Sequence, residues 1–364
     1  MKVIMTGGGT GGHIYPAISI ADKIKRKNPD AEILFVGTER GMEKDLVPKN
    51  GYKIKFITVS GLNRKKIWKN LKTATDLVKG YRQAKRIIGE FKPDIVIGTG
   101  GYVCGPVIRA AHKKGIRTYI HEQNAYPGVT NKLLEKYADK VFISFPESKK
   151  YFRNQDKLIV TGNPIRNGFL VCGMSNSREK MKIKPTEFVI LCFGGSLGSE
   201  KINNTMFHVI EMINGMPDIK LFFITGKYYY KKICDKFNEA KITLDKNINI
   251  LEYVDNMHEY LSASDLVISR AGALTVSEIT ACGKASILIP SPNVTGNHQY
   301  YNAKVIADKG GAVIIEEKDL SDKKLLSTIL RLKNNKEAIN KMSEASMKIG
   351  KIDAVDMIYD HLLI

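Results

Sequence analysis

The sequence predicts an α/β protein of two doubly wound, parallel-sheet domains, on three observations. Short β-branched apolar runs alternate with helical patterns along the whole chain. Strands that alternate with helices pair in parallel, because each crossover helix returns the chain to the same end of the sheet. Two stretches, KVIMTGGGTGGHIYPAISIADKI from Lys2 and FVILCFGGSLGSEKINNTMFHVI from Phe188, both run strand, glycine loop, helix. Finally, 364 residues exceed what one hydrophobic core comfortably accommodates.

Taken in order, the first series of predicted strands is Lys2–Met5, Glu32–Val36, Lys53–Val59, Asp94–Gly98, Thr118–His121 and Lys140–Ile143. The second is Phe188–Phe193, Ile219–Thr225, Ile248–Glu252, Leu266–Ser269, Ala285–Ile289 and Ala312–Ile315. Each is a short apolar run bounded by turn formers, as a strand covered on both faces should be. Helical patterns such as Tyr15–Lys27 and Asp76–Phe91 fall between most of them. The two domains would meet near VTGNPIRNG, Val160 to Gly168, which divides the chain into residues 1–162 and 163–345. Residues 346–364 read as a closing helix that packs on the body, with Ile352, Val355, Tyr359 and Leu362 at helical spacing.

Lysine and arginine number 57 against 37 acidic residues, a net charge of +20. That balance suits polyanionic company: nucleic acid, anionic lipid or phosphorylated substrates. It is also what a lysine-rich proteome would give. No uncharged apolar run is long enough to span a membrane, and the N-terminus breaks into glycines where a secretory signal would stay apolar. Five scattered cysteines form no C-x-x-C pair, which suits a reducing cytoplasm and no thiolate metal site. D-x-D, H-E-x-x-H and the P-loop pattern are all absent from the sequence.

Four loops at predicted strand ends carry the chemistry. GGGTGGHIYP, Gly7 to Pro16, matches G-x-G-x-x-G, and a glycine loop before a helix lets backbone N–H groups reach phosphate oxygens. A dinucleotide site would also need an acidic residue closing the second strand, but that strand runs out as Phe35-Val36-Gly37-Thr38. A purely structural turn is the plain alternative. In SRAGALTVSE, Ser269 to Glu278, a helix should open near Ala273 to Thr275 and face a diphosphate. Glu278, one turn in, would either accept both hydroxyls of a ribose or cap the helix. HEQNAYPGVTN, His121 to Asn131, and SPNVTGNHQYYNA, Ser291 to Ala303, read as binding loops, with Gln299 suited to sugar hydroxyls.

Together GGGTGGHIYP, GTGGYVCGP, HEQN, GNPIR, FGGSLGS, RAGALTVSE and NHQYYNA, in that order, resemble the MurG family of N-acetylglucosaminyltransferases. The resemblance implies the GT-B architecture of two Rossmann-like domains, the C-terminal one holding UDP-N-acetylglucosamine and the N-terminal one on the acceptor and membrane side. It implies that Glu278 takes the ribose and that Ser196 sits by the diphosphate. Ala273, Leu274, Thr275, Val276 and Ser277 would lie beside phosphates and sugar, and Arg166 and the backbone of Val254 would contact the nucleotide. Gln299 and Asn124 would hold the hexose, with Thr10, Gly11 and Gly12 closing from the N-terminal side. Some members carry glutamine where this chain has His298, and others isoleucine at Val254.

The reaction so implied is an inverting transfer to the muramyl 4-hydroxyl of lipid I, giving lipid II, with no cofactor and no metal ion. His13 is favoured as the base over Glu122, since an imidazole titrates near neutrality. The partners implied are UDP-N-acetylglucosamine, lipid I and the anionic inner leaflet, with no nucleic acid; the place is the cytoplasmic face of the membrane. The stretch from Leu62 to Lys92 fits such a surface. It holds ten basic residues against Asp76 and Glu90, and Ile67, Leu71, Val78 and Tyr81 recur at helical spacing beside Trp68. A stripe packed on the sheet under solvated lysines is the alternative. A sugar-nucleotide epimerase, a glycolipid transferase with another donor and a basic nucleic-acid-binding protein are the competing functions.

Overall fold

The computed structural model describes residues 1–61, 70–166, 168–169 and 174–362. The chain divides into two units, Met1–Arg166 with Ile352–Ile364, and Asn167–Lys351. The division falls inside the segment Val160 to Gly168, at Arg166 where the sequence places it at 162, and the end of the chain belongs with the first unit.

Among the described residues of the first unit, seven strands form one parallel sheet. They are β1 (Lys2–Thr6), β2 (Glu32–Gly37), β3 (Lys53–Phe56), β4 (Ile95–Gly98), β5 (Arg117–Glu122), β6 (Lys140–Ile143) and β7 (Leu158–Val160). Their order is β3-β2-β1-β4-β5-β6-β7, with Val3 beside Ile33 on one side and Ile95 on the other. Alternation sends Val3, Met5, Phe35 and Ile97 to one face, where Ile14, Ile20 and Ile24 of the helix Gly11–Lys27 cover them. Ile4, Val36 and Val96 point to the other face, against Ile87, Ile88, Val107 and Ile108. Both faces are thus apolar and covered, which is why β1 and β4 are continuous hydrophobic runs. β7 is a strand beyond those predicted; its three half-buried residues pair with β6 at the sheet's edge.

The C-terminal segment differs in detail from its sequence reading. The helix Lys336–Ile349 stops at Gly350, and a separate helix runs over Ala354–Asp360. Ile352 precedes that helix and is 57% exposed, so it takes no part in the buried stripe. The stripe is Ala354, Ile358 and Leu362, and the last two join the core beneath the helix Gly11–Lys27. An ion pair of Lys23 with Asp356 and a hydrogen bond from Asn28 Nδ2 to Tyr359 Oη (2.8 Å) fasten the two helices.

The second unit repeats the plan with β8 (Phe188–Phe193), β9 (Ile219–Ile224), β10 (Ile248–Leu251), β11 (Leu266–Ser269), β12 (Ala285–Leu288) and β13 (Ala312–Ile314). Among the described residues the parallel order is β10-β9-β8-β11-β12-β13. Ile202, Met206, Val209 and Ile210 of the helix Glu200–Ile213 pack on Ile190, Cys192, Leu221 and Phe223. Each sheet therefore reverses its winding once, between β1 and β4 and between β8 and β11. At such a reversal the loops leaving the two strands diverge, and ligands bind there, at the carboxyl ends. Among the described residues no helix is long and apolar enough to cross a membrane.

Candidate functional site

At the first reversal two glycine loops lie against each other. The loop after β1 runs from Gly7 to Thr10, and Thr10, extended and without a side-chain cap, starts the helix Gly11–Lys27. Gly8 N–H donates to Gly100 of the loop after β4 (3.2 Å), and Thr99 Oγ1 donates to the His13 carbonyl (2.7 Å). Gly9 and Thr10 form the exposed tip, with Gly12 exposed and Gly11 and His13 half-buried behind it. A carboxylate that the sequence reading passed over holds this loop from below. Glu43 is buried, and its two oxygens accept from Gly9 N (2.9 Å), Thr38 N (2.9 Å) and Thr38 Oγ1 (2.7 Å). A Cβ at Gly8 would stand 2.5 Å from that carboxylate, so only glycine lets loop and carboxylate meet.

The segment HEQN completes this corner. Gln123 is buried, with Oε1 3.0 Å from His13 Nδ1 and Nε2 donating to the Thr99 carbonyl at 2.8 Å. A Cβ at Gly100, whose φ is +111°, would lie 2.7 Å from His13 Nδ1, so the imidazole packs directly on the second glycine loop. Behind Gln123, His121 is fully buried, and desolvation pushes its pKa down to about 4. Glu122 turns elsewhere: Oε1 accepts from Asn124 N (2.9 Å) and Nδ2 (3.1 Å), Oε2 from Gly128 N (2.9 Å) and Asn131 Nδ2 (2.8 Å). That carboxylate shapes the loop from Asn124 to Gly128, and Asn124 is half-buried on it. Cys104 donates its thiol to the Thr6 and Gly100 carbonyls, and burial pushes its pKa up to about 12. The Arg166 guanidinium stands over the Tyr15 ring of the helix Gly11–Lys27, 5.7 Å from its centroid.

At the second reversal the loop after β8 carries Ser196 and Leu197 at an exposed tip, and Ser199 caps the next helix. The helix Ala273–Ala281 opens directly after Gly272, with neither a side-chain cap nor an acidic residue in its first turn. A helix N-terminus gathers backbone N–H groups and a partial positive charge at its first turn. Leu274, Thr275, Ser277 and Glu278 are half-buried on that helix, whereas Ala273 and Val276 are buried. Arg270, which the sequence reading did not single out, ties the loops together. Its guanidinium donates to Ser199 Oγ (2.7 Å) and to the Ile289 (3.2 Å) and Pro290 (3.3 Å) carbonyls, and pairs with Glu317. Asn302 Nδ2 donates to the Ala271 carbonyl (3.2 Å), fixing the helix His298–Asp308. On that helix Gln299 Oε1 accepts from Ser291 N (2.9 Å), and His298 Nδ1 donates to the Thr295 carbonyl (2.7 Å).

The structure thus gathers the glycine loop, His13 and HEQN at one reversal, and Ser196, Ala273 to Glu278 and Gln299 at the other. Val254 stands apart from these, half-buried on the loop after the edge strand β10. Arg64, Lys65, Lys66, Ile67, Trp68 and Lys69 lie outside the described residues, as do the side chains of Leu71 and Lys72. The described helix Asn70–Phe91 exposes Leu77 (48%) and Val78 (53%) together with Lys79, Arg82, Lys85 and Arg86.

Two Rossmann-like units with glycine loops at both reversals, one beside a half-buried histidine and the other beside a helix N-terminus, are built as an enzyme for a phosphorylated ligand. The chain belongs to glycosyltransferase family 28: residues 3–143 match that family's N-terminal domain and residues 189–358 its C-terminal domain. It is 48% identical over 364 residues to the UDP-N-acetylglucosamine–N-acetylmuramyl-(pentapeptide) pyrophosphoryl-undecaprenol N-acetylglucosamine transferase of Alkaliphilus oremlandii, covering 100% of this chain and 98% of the relative. To the transferase of the same name in Clostridioides difficile it is 46% identical, over 100% of this chain and 88% of the relative. The crystal structure of Acinetobacter baumannii MurG superposes with a TM-score of 0.79 at 27% identity, covering 99% and 98% of the two chains. The resemblance to the MurG family read from the motifs therefore holds over the full length. A UDP-GlcNAc 2-epimerase from Neisseria meningitidis, bound to UDP-GlcNAc, superposes with a TM-score of 0.68 at 16% identity, over 100% of both chains, and shares the fold alone.

Proposed function

We propose that this chain transfers N-acetylglucosamine from UDP-N-acetylglucosamine to the muramyl 4-hydroxyl of lipid I, with inversion at the anomeric carbon, giving lipid II for peptidoglycan synthesis. The full-length match to relatives named for this transfer carries the reading. The second unit takes the donor. Glu278 holds the ribose hydroxyls, Ser196 meets the diphosphate, and the opening turn from Ala273 receives the charge that develops on departing UDP. Gln299 faces the hexose. The first unit takes the acceptor along Thr10, Gly11 and Gly12, and His13 accepts the proton of the attacking hydroxyl. Glu122 is the weaker candidate for that proton, because four N–H donors already engage its oxygens. No metal ion or organic cofactor enters this scheme.

The acceptor's lipid would bring the protein to the cytoplasmic face of the membrane as a peripheral protein. The cationic helix Asn70–Phe91, with Leu77 and Val78 uncovered, supports that placement. Nucleic acid has no part in it. The decisive experiment incubates the purified chain with radiolabelled UDP-N-acetylglucosamine, with and without a short-chain lipid I analogue. Acceptor-dependent appearance of label in a disaccharide product is expected. Conversion of the donor to its 2-epimer without acceptor, or no transfer by folded protein, overturns the reading.

A further inference from the structure

We infer that Gln123 is a positioning residue that fixes His13 as its Nδ1–H tautomer, leaving the Nε2 lone pair to receive the proton. The inference rests on the proposed role of His13 but begins from hydrogen-bond chemistry alone. The buried Gln123 amide nitrogen lies 2.8 Å from the Thr99 carbonyl and 3.1 Å from the His121 carbonyl. Carbonyl oxygens only accept, so the end of the amide facing them must be the NH2 group; turned over, it would set oxygen against two oxygens. The other end, Oε1, is then an acceptor 3.0 Å from His13 Nδ1, and that nitrogen must carry hydrogen. A neutral imidazole has one N–H, so His13 Nε2 is the lone-pair nitrogen.

The same logic runs one residue deeper. Gln123 Nε2 is 2.9 Å from His121 Nδ1, and a donor there requires His121 Nδ1 to accept. His121 therefore holds its proton on Nε2, which lies 3.0 Å from the Gly162 carbonyl. Burial keeps this second imidazole neutral, so Nδ1 remains an acceptor throughout the neutral range. The two Gln123 amide hydrogens serve three acceptors, so one is shared between the His121 carbonyl and Nδ1, and from Gly162 through His121 and Gln123 to His13 no donor faces a donor. His13 and His121 are the titratable groups on the Gln123 amide, since the carboxylate of Glu122 is turned to Asn124, Gly128 and Asn131. This is the work a carboxylate does behind many catalytic histidines, done here by an amide that cannot take the proton itself.

The test has a readout that does not depend on activity. Long-range 1H–15N correlation spectra of the 15N-histidine-labelled full chain, with the His13 signals assigned by loss in His13→Ala, report the tautomer of the neutral ring. The wild type should show Nδ1 protonated and Nε2 unprotonated. In Gln123→Met, which keeps volume and removes the acceptor, the His13 signals should move toward the Nε2–H pattern that neutral histidine prefers in water. Its kcat should fall roughly 10–100-fold, less than complete loss of a base costs, with donor KM within about twofold. A wild-type His13 protonated on Nε2 overturns the inference, even if no Gln123 variant folds. An unchanged tautomer in folded Gln123→Met overturns it too. A tautomer that switches while kcat stays unchanged leaves the Gln123 assignment standing and removes His13 from the role of base.

Discussion

The two winding reversals share a topology and a glycine loop but are finished with opposite materials. Around the first, buried polar side chains crowd beneath the loop: Glu43, Glu122, His121 and Gln123 are all at most 1% exposed. Every one meets a partner, so the loop is braced from inside the protein. Around the second, the bracing is cationic and partly wet, through the Arg270 guanidinium, while the helix Ala273–Ala281 opens after Gly272 with no acidic residue in its first turn. Fixed dipoles at a helix end suit a ligand that arrives charged, such as a diphosphate. A histidine on a rigid polar network suits a step in which one proton must move in one direction. One fold, used twice in one chain, thus ends in a helix N-terminus at one reversal and in a braced histidine at the other.

The largest expected effect breaks the comparison at its sharpest point. His13→Ala should lower kcat by about 10²–10⁴-fold and remove the acidic limb of the pH–rate profile, with donor KM nearly constant. Glu122→Gln should act mainly on folding, since it replaces two acceptor oxygens engaged by four N–H donors with an amide having one acceptor. Initial rates of UDP release, beside melting curves, separate the two. A folded Glu122→Gln protein losing kcat while His13→Ala retains it would assign the proton to the carboxylate.

Next comes the acid sensitivity of the first network. The unfolded chain protonates His121 near its ordinary value of 6.5, whereas the folded protein resists until about pH 4. Between those values the unfolded state binds more protons, so stability falls as pH falls, by about 3 kcal/mol over the full window. Above pH 6.5 neither state is protonated there and the contribution is constant. Urea unfolding at stepped pH should show this slope in the wild type and a shallower one in His121→Asn. Equal slopes would mean that the imidazole is not held neutral by burial.

Most strands, and the places of the four candidate loops at strand ends, were legible in the sequence, because parallel strands covered on both faces are continuous apolar runs and glycine loops announce themselves. What escaped were side chains whose roles exist only after folding. Gln123 meets His13 across 110 residues, and nothing local in HEQN distinguishes the glutamine behind the histidine from a surface amide. Glu43 reads as an ordinary acidic residue in GTERGMEKD until β1 and β2 bring it under Gly9. Arg270 beside Ala271 gave no sign that it would span three loops. The closing helix was misread at Ile352 because spacing alone does not mark the residue at which a helix begins; Asp353 precedes it, and the buried stripe starts at Ala354.

A smaller effect sharpens the other half. Glu278→Ala should cost charge-assisted hydrogen bonds worth roughly 1.5–3 kcal/mol, about 10–150-fold in donor kcat/KM, with acceptor KM little changed. Together with His13→Ala it would give two variants with reciprocal signatures, one in turnover and one in donor use. An unchanged donor kcat/KM in a folded variant would remove Glu278 from the ribose.

The smallest effect per residue lies outside both reversals, on the helix Asn70–Phe91. Val78, Arg82 and Lys85 follow one another at i, i+4 and i+7 and share a face, and all three are exposed. Tyr81 and Ala84 instead turn toward the core with Ile87 and Ile88, so the helix is already anchored and its outer face is spare. Each basic residue near an anionic surface contributes about 1 kcal/mol, and the attraction fades within a Debye length. Arg82→Glu with Lys85→Glu should therefore weaken sedimentation with phosphatidylglycerol vesicles by at least tenfold at low salt. Val78→Ser should weaken it by less, and in a manner insensitive to salt. Transfer to a soluble acceptor analogue should survive all three changes, because neither reversal is touched. Vesicle binding unaffected by both the charge reversals and salt would move the membrane face off this helix, and would leave the comparison between the two reversals intact.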